Sequence, residues 1–211
     1  MSENNSPDSP EEINALAAEY GLQLSDQDIA FLGRFLDVLF EANTRMNLTR
    51  IVDRKQAWTR HMLDSLSVLP FLEACQAQNM LDLGAGGGFP GMPVAIVRPD
   101  LPVTLLEATG KKARFLVDAA TDLSLENVTV LSERAETLGS PEGGGRFAWD
   151  VVTARAVGPM RVLLELALPL VVEGGYLIAI KGERAGEEIE EAAKALRTLN
   201  ATVEKTHRTP S

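Results

Sequence analysis

Cysteine is nearly absent: Cys75 stands alone among 211 residues. This excludes an internal disulfide framework and predicts a reducing compartment. Histidine is almost as scarce. His61 and His207 have no ligand partners at metal-site spacing, so no metal centre is expected. Long apolar runs are missing as well. The longest charge-free stretch, 83–97, has 15 residues and is broken by five glycines and two prolines. A membrane-spanning helix needs about 20 apolar residues. The opening MSENNSPDSPEE has no basic n-region and no apolar h-region, so no signal peptide is read. These absences predict a soluble, cytoplasmic chain of ordinary globular composition, sized for one larger domain.

Positive charge is also short, with a net charge of −10. Its distribution matters more than its sum. Residues 1–41 hold nine acids against Arg34 alone, and the other 170 residues are nearly balanced at 21 acids to 19 bases. Within them, 45–61 carries Arg45, Arg50, Arg54, Lys55 and Arg60 against Asp53. A local basic patch on an acidic protein is enough to meet phosphates.

The organisation divides into a disordered tail over 1–10, a helical extension over 11–78 and an α/β domain over 79–211. In 25–42, Ile29, Leu32, Leu36, Leu39 and Phe40 recur at helical spacing behind Ser25, an N-cap residue with Asp28 three positions on. A second helix is expected over 54–69, stopped by Pro70. From residue 79, strands are expected at 79–83, 103–107, 127–131, 149–154 and 176–181. Helices are expected between and after them at 90–97, 111–123, 159–171 and 186–199. Pro159 suits the first turn of its helix and Gly174-Gly175 the stop after it, while 139–148 reads as a loop. Strand–helix alternation means a mainly parallel sheet covered on both faces.

In such sheets a ligand binds beyond the carboxyl ends of the strands, where the strand order reverses. The strongest motif lies there. After NMLDL comes Gly84-Ala85-Gly86-Gly87-Gly88-Phe89-Pro90-Gly91, then a helix. Glycines let the backbone turn sharply and a ligand approach it. Two registers compete. Gly86-x-Gly88-x-x-Gly91 satisfies the dinucleotide fingerprint. Asp82-x-Gly84-x-Gly86-x-Gly88 resembles the first motif of S-adenosylmethionine-dependent methyltransferases. Glu107 ends the second strand, where a carboxylate can take both ribose hydroxyls, and both cofactors want that acid. An aspartate as the penultimate strand residue, a loop closing on Phe-Pro-Gly and about 70 helical residues before the sheet favour the methyltransferase register. The alternatives are a nicotinamide-dependent oxidoreductase and a non-catalytic module that keeps the pocket.

Several runs resemble one family: Met46-Asn47-Leu48-Thr49, Arg60-His61-x-x-Asp64-Ser65-Leu66, LDLGAGGGFPGMPVAI, LLEATGKKARFL, Arg134-Ala135-Glu136, VVTARAVGP and YLIAIKG. In this order and spacing they resemble the small-subunit rRNA guanine-N7 methyltransferases, the RsmG or GidB family, over about 43–182. The resemblance implies a Rossmann-like class I S-adenosylmethionine-dependent methyltransferase fold of seven strands with an N-terminal helical extension. It implies methylation of N7 of guanine 527 in the 530 loop of 16S rRNA using S-adenosyl-L-methionine, either on the naked RNA or in the 30S ribosomal subunit, with a monomer as the default expectation. It places Gly84, Gly86 and Phe89 around the methionine and adenosine, Glu107, Ala108 and Thr109 at the ribose, and Ala135 and Glu136 about the adenine. Arg155 falls beside the cofactor and the incoming base. By charge and position, Arg45, Arg50, Arg60, Lys111, Lys112 and Lys181 are candidate RNA contacts, and Asn47 and His61 are candidates for shaping the substrate pocket, His61 equally for a structural role. One departure is expected: the chain ends at THRTPS, and the last strand of the family pattern is missing.

Guanine N7 carries a free lone pair and no proton, so no general base is required, and none is evident. Amino-group methylases carry a polar-Pro-Pro-aromatic tetrad after the fourth strand, where this chain has Ala154-Arg155-Ala156-Val157. Pyrimidine C5 methylases need a cysteine there, and Cys75 precedes the first strand.

Overall fold

A computed structural model describes residues 9–210. Most of the expected tail lies outside them. Pro10, assigned to that tail, instead opens helix α1 (Pro10–Glu19) with Ser9 at the N-cap position. Proline suits the first turn because its missing N–H has no intrahelical partner there.

Helix α2 (Asp26–Met46) begins at the expected cap: Ser25 Oγ accepts the Asp28 amide and the Asp28 carboxylate accepts the Ser25 amide. It runs past the expected end to Asn47, whose left-handed φ of 52° terminates it. The expected single helix over 54–69 is broken into α3 (Arg54–Ala57), a π-helical turn (Trp58–Leu63) and α4 (Asp64–Leu66). Pro70 does not stop it. Ser67 and Val68 form a turn, and Pro70 lies in the first turn of a new helix, α5 (Leu69–Ala74).

Five parallel strands follow: β1 (Met80–Leu83), β2 (Val103–Leu106), β3 (Val128–Leu131), β4 (Trp149–Arg155) and β5 (Val171–Ile180). Their order is β3-β2-β1-β4-β5, so the chain reverses direction across the sheet between β1 and β4. Five strands, not the seven implied by the resemblance, are formed among the described residues, and 201–210 run without helix or strand. That segment brings Val203 as its one large aliphatic side chain, about half exposed, too little to cover a sheet edge. β5 starts five residues earlier than expected. Gly174-Gly175 lie inside it, where the pairing with β4 shifts register and Gly174 takes φ 79°. Such a bulge accommodates an extra turn of backbone that a side chain would resist.

Pleating sends alternate residues of each strand to opposite faces. Met80, Val103 and Leu105 join one core with α2, α6 (Gly91–Val97) and α7 (Gly110–Asp122). Leu81, Leu83, Leu106 and Val152 join a second core with α8 (Ala135–Leu138) and α9 (Met160–Ala167). The expected helix over 159–171 is shorter, since Leu168–Leu170 form a 3-10 turn feeding β5. That over 186–199 divides into α10 (Ala185–Glu191) and α11 (Ala193–Thr198). The helical extension shares the first core, with Ile29, Leu32, Phe35, Leu36, Trp58 and Leu66 at most 1% exposed. It is thereby fixed rigidly beside the carboxyl ends of β1 and β4.

Candidate functional site

The turn after β1 is built around Asp82. Its side chain is completely buried, and Oδ2 accepts the Gly91 amide at 2.8 Å while Oδ1 lies 3.4 Å from Thr153 Oγ1. Burial, opposed mainly by the Gly91 hydrogen bond, pushes its pKa up to about 7. Gly91 must be glycine for space: a Cβ there would lie 2.9 Å from Asp82 Oδ2 and 2.2 Å from Leu105 Cδ2. Gly88 is likewise packed on Met92 and Phe35. Two of the three glycines of the dinucleotide register are therefore accounted for by close packing of α6. Gly86 differs. Gly84, Gly86 and Gly88 all take positive φ, 72°, 57° and 97°, but a Cβ on Gly86 would meet nothing nearer than 3.7 Å, whereas one on Gly84 would lie 3.0 Å from Val157 Cγ2. The loop at Gly86 borders open space and leaves its backbone approachable.

Glu107 follows β2 and is 7% exposed. Oε2 accepts the Gly86 amide at 2.9 Å and Oε1 the Thr109 amide at 2.7 Å. A carboxylate has about four acceptor positions, so two backbone donors fix its orientation and leave capacity for a pair of hydroxyls. Ala108 and Thr109 are exposed beside it, Thr109 at the N-cap of α7. Ala135 and Glu136 open α8 after β3, the first half-buried and the second exposed. These residues, with Gly84 and Gly86, lie on the loops that follow β1, β2 and β3.

Phe89, Arg155 and His61 form the second part of the site. Phe89 is buried, with His61 stacked on it at 4.5 Å between ring centroids and 23° between planes. Arg155 ends β4 with its Cζ 4.7 Å from the Phe89 centroid. Its Nη1 donates to the Arg60 carbonyl at 3.1 Å and pairs with Asp64 Oδ2 at 3.4 Å. Burial lowers the Arg155 pKa, and Asp64 and Asp82 oppose that. His61 is held near pKa 4 by burial and by Arg155, so its imidazole is neutral at pH 7. Its Nδ1 lies 3.1 Å from Arg60 O and 3.4 Å from Arg155 Nη2, contacts that demand opposite protonation of one nitrogen. The guanidinium favours a bare Nδ1, leaving Nε2–H to donate to Thr49 Oγ1 at 2.7 Å.

The π-helical turn carries His61 and immediately precedes Asp64. Such turns inserted into helices are frequent at functional sites. Ser65 Oγ, next in the chain, is the one buried side-chain polar atom without a hydrogen-bond partner among the described residues.

Beside this cluster a cavity of about 520 Å³ opens at the carboxyl ends of β4 and β5. Two ion pairs line it, Arg155–Asp64 and Lys181–Glu188, the latter at 2.8 Å. Lys181 is not the free cation expected from the sequence. Its side chain is only 8% exposed, and Nζ also donates to the Gly158 carbonyl at 2.6 Å. Glu188 accepts the Met160 amide as well, at 2.9 Å. The pair therefore fixes α10 against the turn after β4, where Ala156 and Gly158 both take positive φ. Asn47 stands apart, exposed at the end of α2 with no hydrogen bond to this cluster. Arg45, Arg50, Arg60 and Lys111 are exposed and Lys112 is half-exposed. Cys75 is half-buried on the far side of β1 from the loop, its thiol pKa raised by burial.

The sequence assigned no role to Asp82, Asp64 or Glu188. Asp82 and Asp64 stood inside quoted motifs, but only burial and pairing reveal what they hold. Glu188 gave no signal among the acids of EEIEE.

Solved structures with this fold include an O-methyltransferase from Bacillus cereus in complex with SAH, at TM-score 0.57 and 21% identity over 91% of this chain and 86% of that one. Another is cofactor-bound Rv0187 from MTB, at TM-score 0.57 and 24% identity over 91% and 84%. The chain is 47% identical to ribosomal RNA small subunit methyltransferase G of Sorangium cellulosum over 203 residues, covering 96% of this chain and 84% of that protein. It is 38% identical to the protein of that name from Bacillus subtilis, over 93% and 82%. Residues 28–210 match the family GidB, described as rRNA small subunit methyltransferase G. A five-stranded parallel class I methyltransferase sheet and a family match over most of the sequence have one conclusion: the chain belongs to the GidB family of rRNA small subunit methyltransferases.

Proposed function

We propose that this chain transfers a methyl group from S-adenosyl-L-methionine to N7 of guanine 527 in the 530 loop of 16S rRNA, acting in the cytoplasm as a monomer on the 30S subunit. The observation that carries this reading is the junction of two sites. A loop with approachable backbone at Gly86 meets, through Phe89 and Arg155, a cavity large enough for a nucleoside.

The donor supplies an electrophilic methyl on a sulfonium. Everything else falls to the chain. Glu107, oriented by two backbone amides, receives ribose hydroxyls with its remaining lone pairs. Gly84, Gly86 and Phe89 hold the methionine and adenosine, with Ala108 and Thr109 at the ribose and Ala135 and Glu136 about the adenine. Arg155 offers a guanidinium plane on which an extruded base stacks, as single-stranded RNA bases do. His61, neutral and stacked on Phe89, lies against the same guanidinium through Nδ1. No proton has to leave guanine when N7 is methylated, and the site accordingly needs alignment at about 3–3.5 Å more than a base. Asn47 lies farther out and belongs to the RNA-facing rim, with Arg45, Arg50, Arg60, Lys111 and Lys112. Lys181 shapes the cavity wall through its ion pair.

The test is methylation of 30S subunits that lack the N7 methyl group. The wild-type chain methylates guanine 527, and Arg155→Ala loses about 100-fold or more in rate. Unchanged methylation by Arg155→Ala would sink the reading. Calorimetric titration with S-adenosylhomocysteine and, separately, NADH checks the cofactor: heat with the first alone is the expected result.

A further inference from the structure

We propose that Asp64 is the specificity-determining residue of the cavity, its carboxylate accepting hydrogen bonds from N1–H and the N2 amino group of the target guanine. This rests on the rRNA guanine reading above.

Methylation at N7 restricts how guanine can be recognised. The N7 lone pair must face the methyl group, so the edge that arginine commonly reads in guanine cannot be occupied. The remaining distinctive groups are the N1–H and N2–H donors at the far edge of the base. Two adjacent donors call for two adjacent acceptors, and a carboxylate supplies them in the matching geometry. Adenine, with an acceptor at N1 and no amino group at C2, leaves such a carboxylate unpaired.

Two carboxylates line the cavity, and their commitments differ. Glu188 Oε2 is taken by Lys181 and by the Met160 amide, both within 2.9 Å. Asp64 has one contact, Arg155 Nη1 at 3.4 Å, the long limit of a hydrogen bond, and Oδ1 has no partner among the described residues. Its side chain is 24% exposed, at the cavity wall. Burial raises its pKa and the guanidinium of Arg155 opposes that. The single long contact to Arg155 leaves most acceptor positions of this partly desolvated carboxyl group open. The same guanidinium lies over Phe89, so the base plane and the edge reader are set by one residue.

The charge flow of the reaction adds to recognition. The N7 lone pair forms the new bond to carbon while the carbon–sulfur electron pair stays on sulfur, and no proton is released. Positive charge passes to the guanine ring, and its N1–H becomes a stronger donor. A carboxylate at N1–H therefore binds the transition state more tightly than the ground state, which raises kcat.

The experiment uses 30S subunits reconstituted with guanosine or inosine at the target; inosine lacks only the N2 amino group. Single-turnover methylation is measured for the wild type and for Asp64→Asn, with calorimetric binding of S-adenosylhomocysteine as the check on folding. The wild type is expected to lose about 10–100-fold on inosine. Asp64→Asn should lose a comparable factor on guanosine and show little further loss on inosine. An equal inosine penalty in both proteins makes Asp64 a structural partner of Arg155 and overturns the proposal. So does a wild type that methylates inosine as fast as guanosine, a result that needs no variant to fold. A wild type inactive on guanosine subunits overturns the rRNA reading itself, and is seen before any comparison with inosine.

Discussion

At the scale of single residues the site is governed by groups withdrawn from water. Asp82 has its pKa raised from 3.8 to about 7. Between those values the folded chain keeps a proton that the unfolded chain has lost, so this group's contribution to stability falls as pH rises from about 4 to 7. Asp82→Asn keeps an acceptor for the Gly91 amide and cannot ionise. Its stability relative to wild type should therefore improve between pH 5 and pH 8 by an amount on the order of 3 kcal/mol, measured by urea unfolding at those two values. His61 has the opposite sign. Its pKa falls from 6.5 to about 4, so stability present above pH 6.5 is lost as pH drops toward 4. An NMR titration should find its imidazole neutral down to pH 5. Phe89 joins the two halves of the site through Phe35, His61 and Arg155. Phe89→Ala should cost about 3–5 kcal/mol in urea unfolding and abolish binding of S-adenosylhomocysteine in the folded fraction.

At the scale of elements, the long helix α2 anchors the extension to the sheet and is opened by the reciprocal Ser25–Asp28 cap. Ser25→Ala should cost about 1 kcal/mol and lower Tm by about 2–4 °C without altering methylation at a temperature where the variant stays folded. The pair Lys181–Glu188 ties α10 to the turn after β4. Lys181→Met should lower Tm by a few degrees and reduce methylation by a factor that does not change with salt, because the ammonium is buried in a pair and is not held out to phosphate. The extension's second helix shows how elements escape a one-dimensional reading. The apolar spacing of Trp58, Met62, Leu66 and Leu69 suits one continuous helix, yet the π-helical turn and the break at Ser67–Val68 divide it. Packing against α6 and β4 sets where His61 and Asp64 must point, and the helix takes up the mismatch.

At the scale of the whole molecule, an acidic chain has to meet RNA through a local cationic rim. Lys111 and Lys112 follow the second strand with no ion pair among the described residues. Each should contribute about 0.7 to the slope of log affinity against log salt for single-stranded RNA. Replacing both by alanine should flatten that slope by about 1.4 in filter-binding titrations while leaving S-adenosylhomocysteine binding intact.

The sequence by itself determined the order of strands and helices, the Ser25 cap, the glycine loop and the placing of Glu107, because each depends on residues close in the chain. Alternation of apolar runs, capping chemistry and turn glycines are local, and local physics is legible without coordinates. Only the tertiary structure decided what the charged groups do. Asp82 is buried under Gly91, Lys181 is bound to Glu188, and Asp64 lies against Arg155 across 91 positions of sequence. Whether a carboxylate or an ammonium is free, paired or desolvated depends on neighbours brought together by folding. Their energies follow burial and distance, and neither is written along the chain.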